Sequence, residues 1–295
     1  MKIARTDQFI EIGSQHKMCE DYIISGQGKY IILSDGCSAS DNSEMGARFL
    51  CYFAKDYLKK HAPYFADYKE KLIYGLGMST ISDAWFIART LGLKKTCLDA
   101  TLIVAYVAKE YLHIHMFGDG FIIVNNPDKS ISTYQVEYKS QNGKSMPYYL
   151  RYDLDPEGLK SYHEQKVTKT IITQTLFPNG AQSSAKVEEV AYDQAFSSMM
   201  HLETFEAASI CSDGLASFIK PVADPNGNKI QSTGIIARNI FNFQHTAGVF
   251  LQRRMNVVNR LCKKDGTFTD HFDDLSIGTF LVEDYKFDFD DTNFD

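Results

Sequence analysis

Apolar and polar positions change period several times along the chain, and each change predicts an element. The runs QFIEIG, DYIISG and KYIILS, within residues 7–34, are short and separated by Gly-containing connections, which predicts three strands. Between 43 and 62 the apolar residues fall at 45, 49, 50, 53, 57 and 58, the spacing of one helix face, with Asn42 or Ser43 as the cap and lysines at the end. Residues 67–93 predict a second long helix, weakened or bent near Gly75 and Gly77. ATLIVAYVAK (100–109) and EYLHIHMF (110–117) predict a hairpin, and FIIVNN (121–126), directly after Gly118-Asp119-Gly120, predicts a second one. SISTYQVEY (130–138) continues an antiparallel meander, and TKTIITQTLF (168–177), EAASICS (206–212) and LSIGTFLVE (275–283) are later strands. Residues 232–264 read as helix in two pieces.

Strands, two helices, strands, helix and a last strand do not follow the βαβ rhythm of a parallel sheet. The order suits an α+β chain in which two antiparallel sheets stack face to face with helices outside them. With no internal repeat and no low-complexity linker, 1–295 is expected to form a single domain. The segment 139–205, polar and rich in Gly, Tyr, Asp and Pro over 140–164, is a candidate flap subdomain, and 284–295 is an acidic tail.

Composition narrows the function classes. With 44% apolar and 23% charged residues the chain can bury a large core. Its 31 basic and 37 acidic residues give a net charge of −6, which argues against nucleic acid or an anionic membrane as the main partner. Six cysteines are scattered without a CxxC pair, so no zinc framework is expected, and no run reaches the roughly 18 apolar residues of a membrane span. A reducing cytoplasm and a monomer are the default expectations. The basic stretch 252–264 reads as a solvated helix face, and His113 and His115 as paired strand histidines rather than metal ligands.

The unusual feature is how three apolar runs end. YIILSDG (30–36), HMFGDG (115–120) and ASICSDG (208–214) each finish in Asp-Gly, and FDDLSIGTFLV (272–282) places its acids before the run. Asp-Gly is a favoured hairpin turn, and FGDG, with a strand immediately after it, reads as one. The other two lead into helix-like segments, which a two-residue hairpin does not explain. An Asp just past a strand end is held by the sheet yet reaches its open rim. Several such carboxylates at one place would repel one another without a hard divalent cation.

Taken in order, CEDYI (19–23), LSDGCSAS (33–40), DATLIVAYV (99–107), HMFGDG (115–120), CSDGLASF (211–218) and FDDLSIGTFLV (272–282) resemble the type 2C metal-dependent Ser/Thr protein phosphatases over residues 8–283. The resemblance implies a four-layer α-β-β-α sandwich with two Mn2+ or Mg2+ ions at one edge of the sheets. It implies that Asp35 bridges both ions, that the Gly36 carbonyl binds one of them, and that Asp213 and Asp273 bind the other. Glu20 and Asp21 would lie nearby, at least one of them acting through water, and Asp119 with Asp213 would serve a weaker third ion. Asp274 takes a position that is often Asn. The implied activity is hydrolysis of phosphoserine or phosphothreonine in a phosphorylated protein substrate, through a metal-activated water at a two-metal centre.

Three positions depart from that pattern. His16 stands where the family usually places the Arg that grips the substrate phosphate, and His cannot make the bidentate fork. Cys37 replaces a His often found after the Asp-Gly as a candidate general acid, and Ser217 replaces an Asp that serves the third ion in some members. The His16 departure motivates a second reading, a catalytically weak pseudophosphatase acting as a metal-containing binding or regulatory module. Neither Cys37 nor Cys211 opens a loop that closes on an Arg, so a cysteine nucleophile is not expected.

Overall fold

The computed structural model describes residues 2–61, 70–193, 195–219, 233–265 and 270–284; the tail beyond Asp284 lies outside the described residues. The three predicted N-terminal strands are β1 (Lys2–Glu11), β2 (Tyr22–Gly26) and β3 (Tyr30–Ser34), followed by helices α1 (Ser43–His61) and α2 (Glu70–Thr90). Then come β4 (Leu102–Ala108), β5 (Tyr111–Phe117), β6 (Gly120–Asn125) and β7 (Ile131–Lys139). Helix α3 (Pro156–Glu164) precedes β8 (Thr168–Leu176), β9 (Lys186–Val190), β10 (Phe196–His201), β11 (Ala207–Cys211) and β12 (Phe218–Ile219). Helices α4 (Thr233–Phe241) and α5 (Phe250–Asp265) lead to β13 (Asp270–His271) and β14 (Leu275–Asp284).

Two antiparallel sheets result: seven strands in the order β1-β14-β11-β6-β7-β8-β9 and five in the order β10-β5-β4-β3-β2. Their inner faces meet in an apolar layer that includes Ile31, Leu33, Ile103, Ile114, Ile122, Ile210 and Phe280. Helices α1 and α2 cover the five-stranded sheet through Leu50, Ala54, Leu76 and Ala84, and α4 and α5 cover the other through Ile236, Ile240, Leu251 and Met255. This is the expected four-layer α-β-β-α sandwich. Helix α5 is anchored at its start by a strand: the Asp7 carboxylate of β1 accepts from the backbone N–H of Leu251 at 2.6 Å and of Gln252 at 3.3 Å, capping the helix from outside.

Four local expectations change. FGDG is not a hairpin turn: β5 lies in the five-stranded sheet and β6 in the seven-stranded one, so Gly118-Asp119-Gly120 carries the chain between sheets. Gly118 and Gly120 do this at φ 98° and 137°, a region that L side chains rarely adopt. Gly75 and Gly77 do not break α2, which is continuous over 21 residues. A Cβ at Gly75 would stand 2.5 Å from the Tyr57 hydroxyl of α1, and one at Gly77 would stand 3.0 Å from the Phe117 ring, so these glycines allow close approach. Ser43 is the first residue of α1 and its buried hydroxyl has no partner, so it does not cap the helix. Finally, 139–205 is woven into both sheets: β8 pairs with β7, β9 with β8, and β10 with β5. Its tyrosines Tyr148, Tyr152, Tyr162 and Tyr192 pack on one another with ring centroids 4.8–5.9 Å apart.

Candidate active site

The site is built at one edge of the sandwich by chain segments that leave the two sheets. Past β3, the backbone is laced to residues 99–101. Asp35 N–H donates to Thr101 Oγ1 at 3.1 Å, Thr101 N–H to the Asp35 carbonyl at 2.8 Å, and Cys37 N–H to the Asp99 carbonyl at 2.8 Å. Gly36 bridges Ala100 in this lacing, and a Cβ there would meet the Glu20 carbonyl at 2.9 Å. The glycine is therefore required by close approach of a neighbouring backbone. Past β11, Asp213 opens a 3-10 turn, Asp213–Ala216, in which Ser217 Oγ donates to the Gly214 carbonyl at 2.7 Å and receives Asp273 N–H at 3.2 Å. Ser217 thus supports the Asp273 loop. Asp119 enters from the sheet-to-sheet crossover, and Asp21 from just before β2.

These carboxylates converge. Asp21 and Asp119 are buried, 2% and 7% exposed, while Asp35, Asp213 and Asp273 keep part of their surface open at the rim. Burial comes first in raising every one of their pKa values, and the neighbouring charges add to it. Asp35 is pushed well above the carboxylate range by burial and by Asp21, Asp213 and Asp119. Asp119 is pushed well up by burial and by Asp213 and Asp273. Asp21 rises to about 7 and Asp213 to about 6. Asp35 and Asp213 are close enough that each shifts the other's ionisation. Groups that resist ionising together are what a bound cation would relieve.

Asp21 sharpens the point. Neither of its oxygens has a hydrogen-bond partner. The Ser212 and Ser276 hydroxyls and the Asp35 carboxyl are near enough to lower its pKa, but none reaches hydrogen-bond geometry, and the Ser212 hydroxyl bonds instead to the Asp274 carbonyl at 3.3 Å and to Ser276 N–H at 2.9 Å. A buried carboxylate with two orphaned oxygens is costly unless something outside the chain satisfies it. The oxygen-only donor set fits a hard divalent ion such as Mn2+ or Mg2+.

His16 and Asp274 complete the Asp273 side. His16 Nε2 lies 3.2 Å from Asp273, and its Nδ1 lies 3.2 Å from Asp274 and 3.5 Å from Glu20. The imidazole is therefore engaged by carboxylates rather than free to fork onto a ligand. Asp274, 2% exposed, accepts from Gly13 N–H at 2.8 Å and Glu20 N–H at 2.6 Å, fastening both chain segments to the start of β14. His271, a residue the sequence reading did not single out, contacts the Asp273 carbonyl through Nδ1 at 2.7 Å and Glu11 through Nε2 at 3.2 Å. Its only sequence signal is its position two residues before Asp273.

The remaining histidines and cysteines have other settings. His115 is buried beside Tyr106 and Ser197, at 3.4 and 3.0 Å, and its pKa is lowered to about 3 by burial and by His113. Cys211 is buried and Cys19 is pushed up to about 12, chiefly by burial, so neither is a thiolate at neutral pH. Among the described residues, no helix is long and apolar enough to cross a membrane.

Comparison with known proteins agrees with this architecture. The family model described as Protein phosphatase 2C matches residues 13–144. No curated protein matches the sequence. Among solved structures, the serine/threonine phosphatase Stp1 from Staphylococcus aureus is 15% identical, with 95% of each chain covered and a TM-score of 0.50. A bacterial serine phosphatase is 16% identical, with 96% of this chain and 99% of its own covered and a TM-score of 0.50. At such identity these neighbours share the fold. The Protein phosphatase 2C model thus matches the first part of the chain, and the fold shared with these phosphatases runs over nearly all of it, to the acidic motif before β14.

Proposed function

We propose that the protein is a metal-dependent phosphatase acting on phosphoserine or phosphothreonine in a protein substrate. The observation that carries this reading is the convergence of Asp21, Asp35, Asp119, Asp213 and Asp273, with both Asp21 oxygens unpartnered in a buried setting.

The rim carboxylates Asp35, Asp213 and Asp273, with the Gly36 carbonyl, are the ligands expected to hold two Mn2+ or Mg2+ ions. Asp21 and Glu20 act from behind them, and Asp119 with Asp213 is available to a weaker third ion. When bound, such ions offset charge on phosphoryl oxygens and make water a competent nucleophile at neutral pH. The residues themselves have simpler tasks. The lacing at 99–101 fixes Asp35, the Ser217 and His271 contacts fix Asp273, and Asp274 clamps the loop that carries His16 and Glu20. Rigid placement before substrate arrives is itself a large part of catalysis in such sites.

Purified protein with Mn2+ is expected to hydrolyse an aryl phosphate and a phosphoserine peptide. An Asp35→Asn variant should lose this activity by at least about 100-fold, on the scale of a lost electrostatic contact to the transition state. Equal rates for the two proteins would refute the assignment. The pseudophosphatase alternative draws on one observation, the engagement of His16 by three carboxylates where a free phosphate-gripping cation would be useful. Metal binding without turnover in the same assay would favour it.

A further inference from the structure

The 139–205 segment grips the frame of the acidic site at two points. Leu150–Leu154 forms a short 3-10 turn between β7 and β8, packed against a second such turn, Lys95–Leu98, that runs directly into Asp99. Lys95 Nζ donates to the Leu154 carbonyl at 2.8 Å. Arg151 donates through Nε to the Asp99 carboxylate and through Nη1 to Asp155 at 2.5 Å. The guanidinium also lies over the Tyr152 ring, 4.6 Å from its centre. Arg151 and Asp99 are 7% and 6% exposed, so the pair is shielded from water.

Asp99 is the first residue of the strip that holds the chain after β3. The Ser34 hydroxyl donates to the Thr101 carbonyl at 2.5 Å, Asp35 N–H to Thr101 Oγ1 at 3.1 Å, and Cys37 N–H to the Asp99 carbonyl at 2.8 Å, while Gly36 bridges Ala100. The other Asp99 carboxylate oxygen receives the Ser40 hydroxyl at 2.8 Å. Asp99 therefore fastens the loop after Asp35 twice, by its backbone and by its side chain. A buried carboxylate that loses its cation is strongly destabilised and turns towards water or another partner. Asp99 would take its own carbonyl, and with it the Cys37 end of the loop, along. Metal ligands have to be held within about 0.5 Å of their productive geometry, so a small shift of this loop reaches the Asp35 carboxylate and the Gly36 carbonyl.

We propose that Arg151 is a positioning residue for the Asp35–Gly36 loop, acting through Asp99, so that the 139–205 segment sets the affinity of the site for its divalent ion. The ligand role of Asp35 in this proposal rests on the phosphatase reading above. The test measures Mn2+ affinity by calorimetry and, in the metal-free protein, amide hydrogen exchange over residues 33–40 by mass spectrometry. Arg151→Gln should weaken Mn2+ binding by about 10- to 100-fold and speed exchange over 33–40. Arg151→Lys, which keeps the charge but not the Nε contact, should recover part of both. Asp155→Asn changes the other partner of Arg151 and leaves Asp99 paired, so its Mn2+ affinity should match that of the wild type. An Arg151→Gln protein that melts lower yet binds Mn2+ as the wild type does would overturn the proposal, and so would equal losses in Asp155→Asn. Should Arg151→Gln not fold, Arg151→Lys decides: wild-type affinity together with wild-type exchange would overturn the proposal. Mn2+ binding that Asp35→Asn leaves unchanged overturns the phosphatase reading instead, so the two failures are distinguishable.

Discussion

One position after Asp273, Asp274 has a different task from its neighbour. Its two oxygens take the backbone N–H groups of Gly13 and Glu20, and it is almost wholly buried. Asp274→Ala would leave both donors buried without partners, a loss of about 2–4 kcal/mol for two charge-assisted bonds and their desolvation. Urea unfolding of the metal-free protein should read that loss directly. His16→Arg tests the other distinctive residue. A guanidinium at this position should raise kcat/KM on a phosphopeptide by about tenfold or more if grip on the phosphate is what limits the natural protein, since a bidentate fork contributes on the order of 1.5–3 kcal/mol. An unchanged rate with intact Mn2+ binding would place the limit elsewhere. The placement of Asp35 at a strand tip was legible in the sequence because it follows an apolar run and precedes a Gly. The orphaned oxygens of Asp21 were not, because being unpartnered is a property of the neighbours.

Elements decide how those residues meet. The Gly118-Asp119-Gly120 crossover reads in sequence as a turn, since Asp-Gly between two strands fits a hairpin equally well. Which sheet β6 joins depends on pairing with β11 and β7, and both partners lie later in the chain. A Cβ at Gly118 would meet Thr101 Cγ2 at 2.8 Å with φ at 98°. Gly118→Ala should therefore cost about 1–3 kcal/mol of stability from backbone strain, seen as a lower Tm in a thermal scan, and should also weaken Mn2+ binding by displacing Asp119. The 139–205 segment gives a second case. Its polar composition suggested a flap, yet β8 and β10 add strands to different sheets, and the Arg151–Asp99 pair ties the segment to the site. Composition reports what a segment exposes, not which open sheet edges are available to it.

For the whole molecule, the carboxylate cluster makes stability depend on pH and on metal together. Asp21, Asp35, Asp119 and Asp213 all have raised pKa values when metal-free. The folded state then holds protons that the unfolded chain has released. This contribution is fully present below the ordinary carboxylate range and is lost as pH rises through about 6 and 7, the values of Asp213 and Asp21, and beyond for the other two. Metal-free protein should melt higher at about pH 5 than at about pH 7.5. Adding Mn2+ at about 100 times its dissociation constant should stabilise the neutral protein by roughly 2.7 kcal/mol and remove that preference. Calorimetry with and without chelator at both pH values measures this. A metal-free protein equally stable at both would mean that the cluster is not desolvated as described.

The sequence by itself determined most of the strands and the long helices, the stacking of two antiparallel sheets with helices outside them, and the Asp-Gly ends that place carboxylates at strand tips. These are written in local periodicity and in the order of the elements along the chain. Only the tertiary structure decided that FGDG joins two sheets, that Gly75 and Gly77 serve close packing, and that His16 is held by three carboxylates. Each of these depends on groups far apart in the chain coming within a few ångströms. Contact, burial and mutual charge are properties of pairs, and one strand's own pattern does not encode its partner.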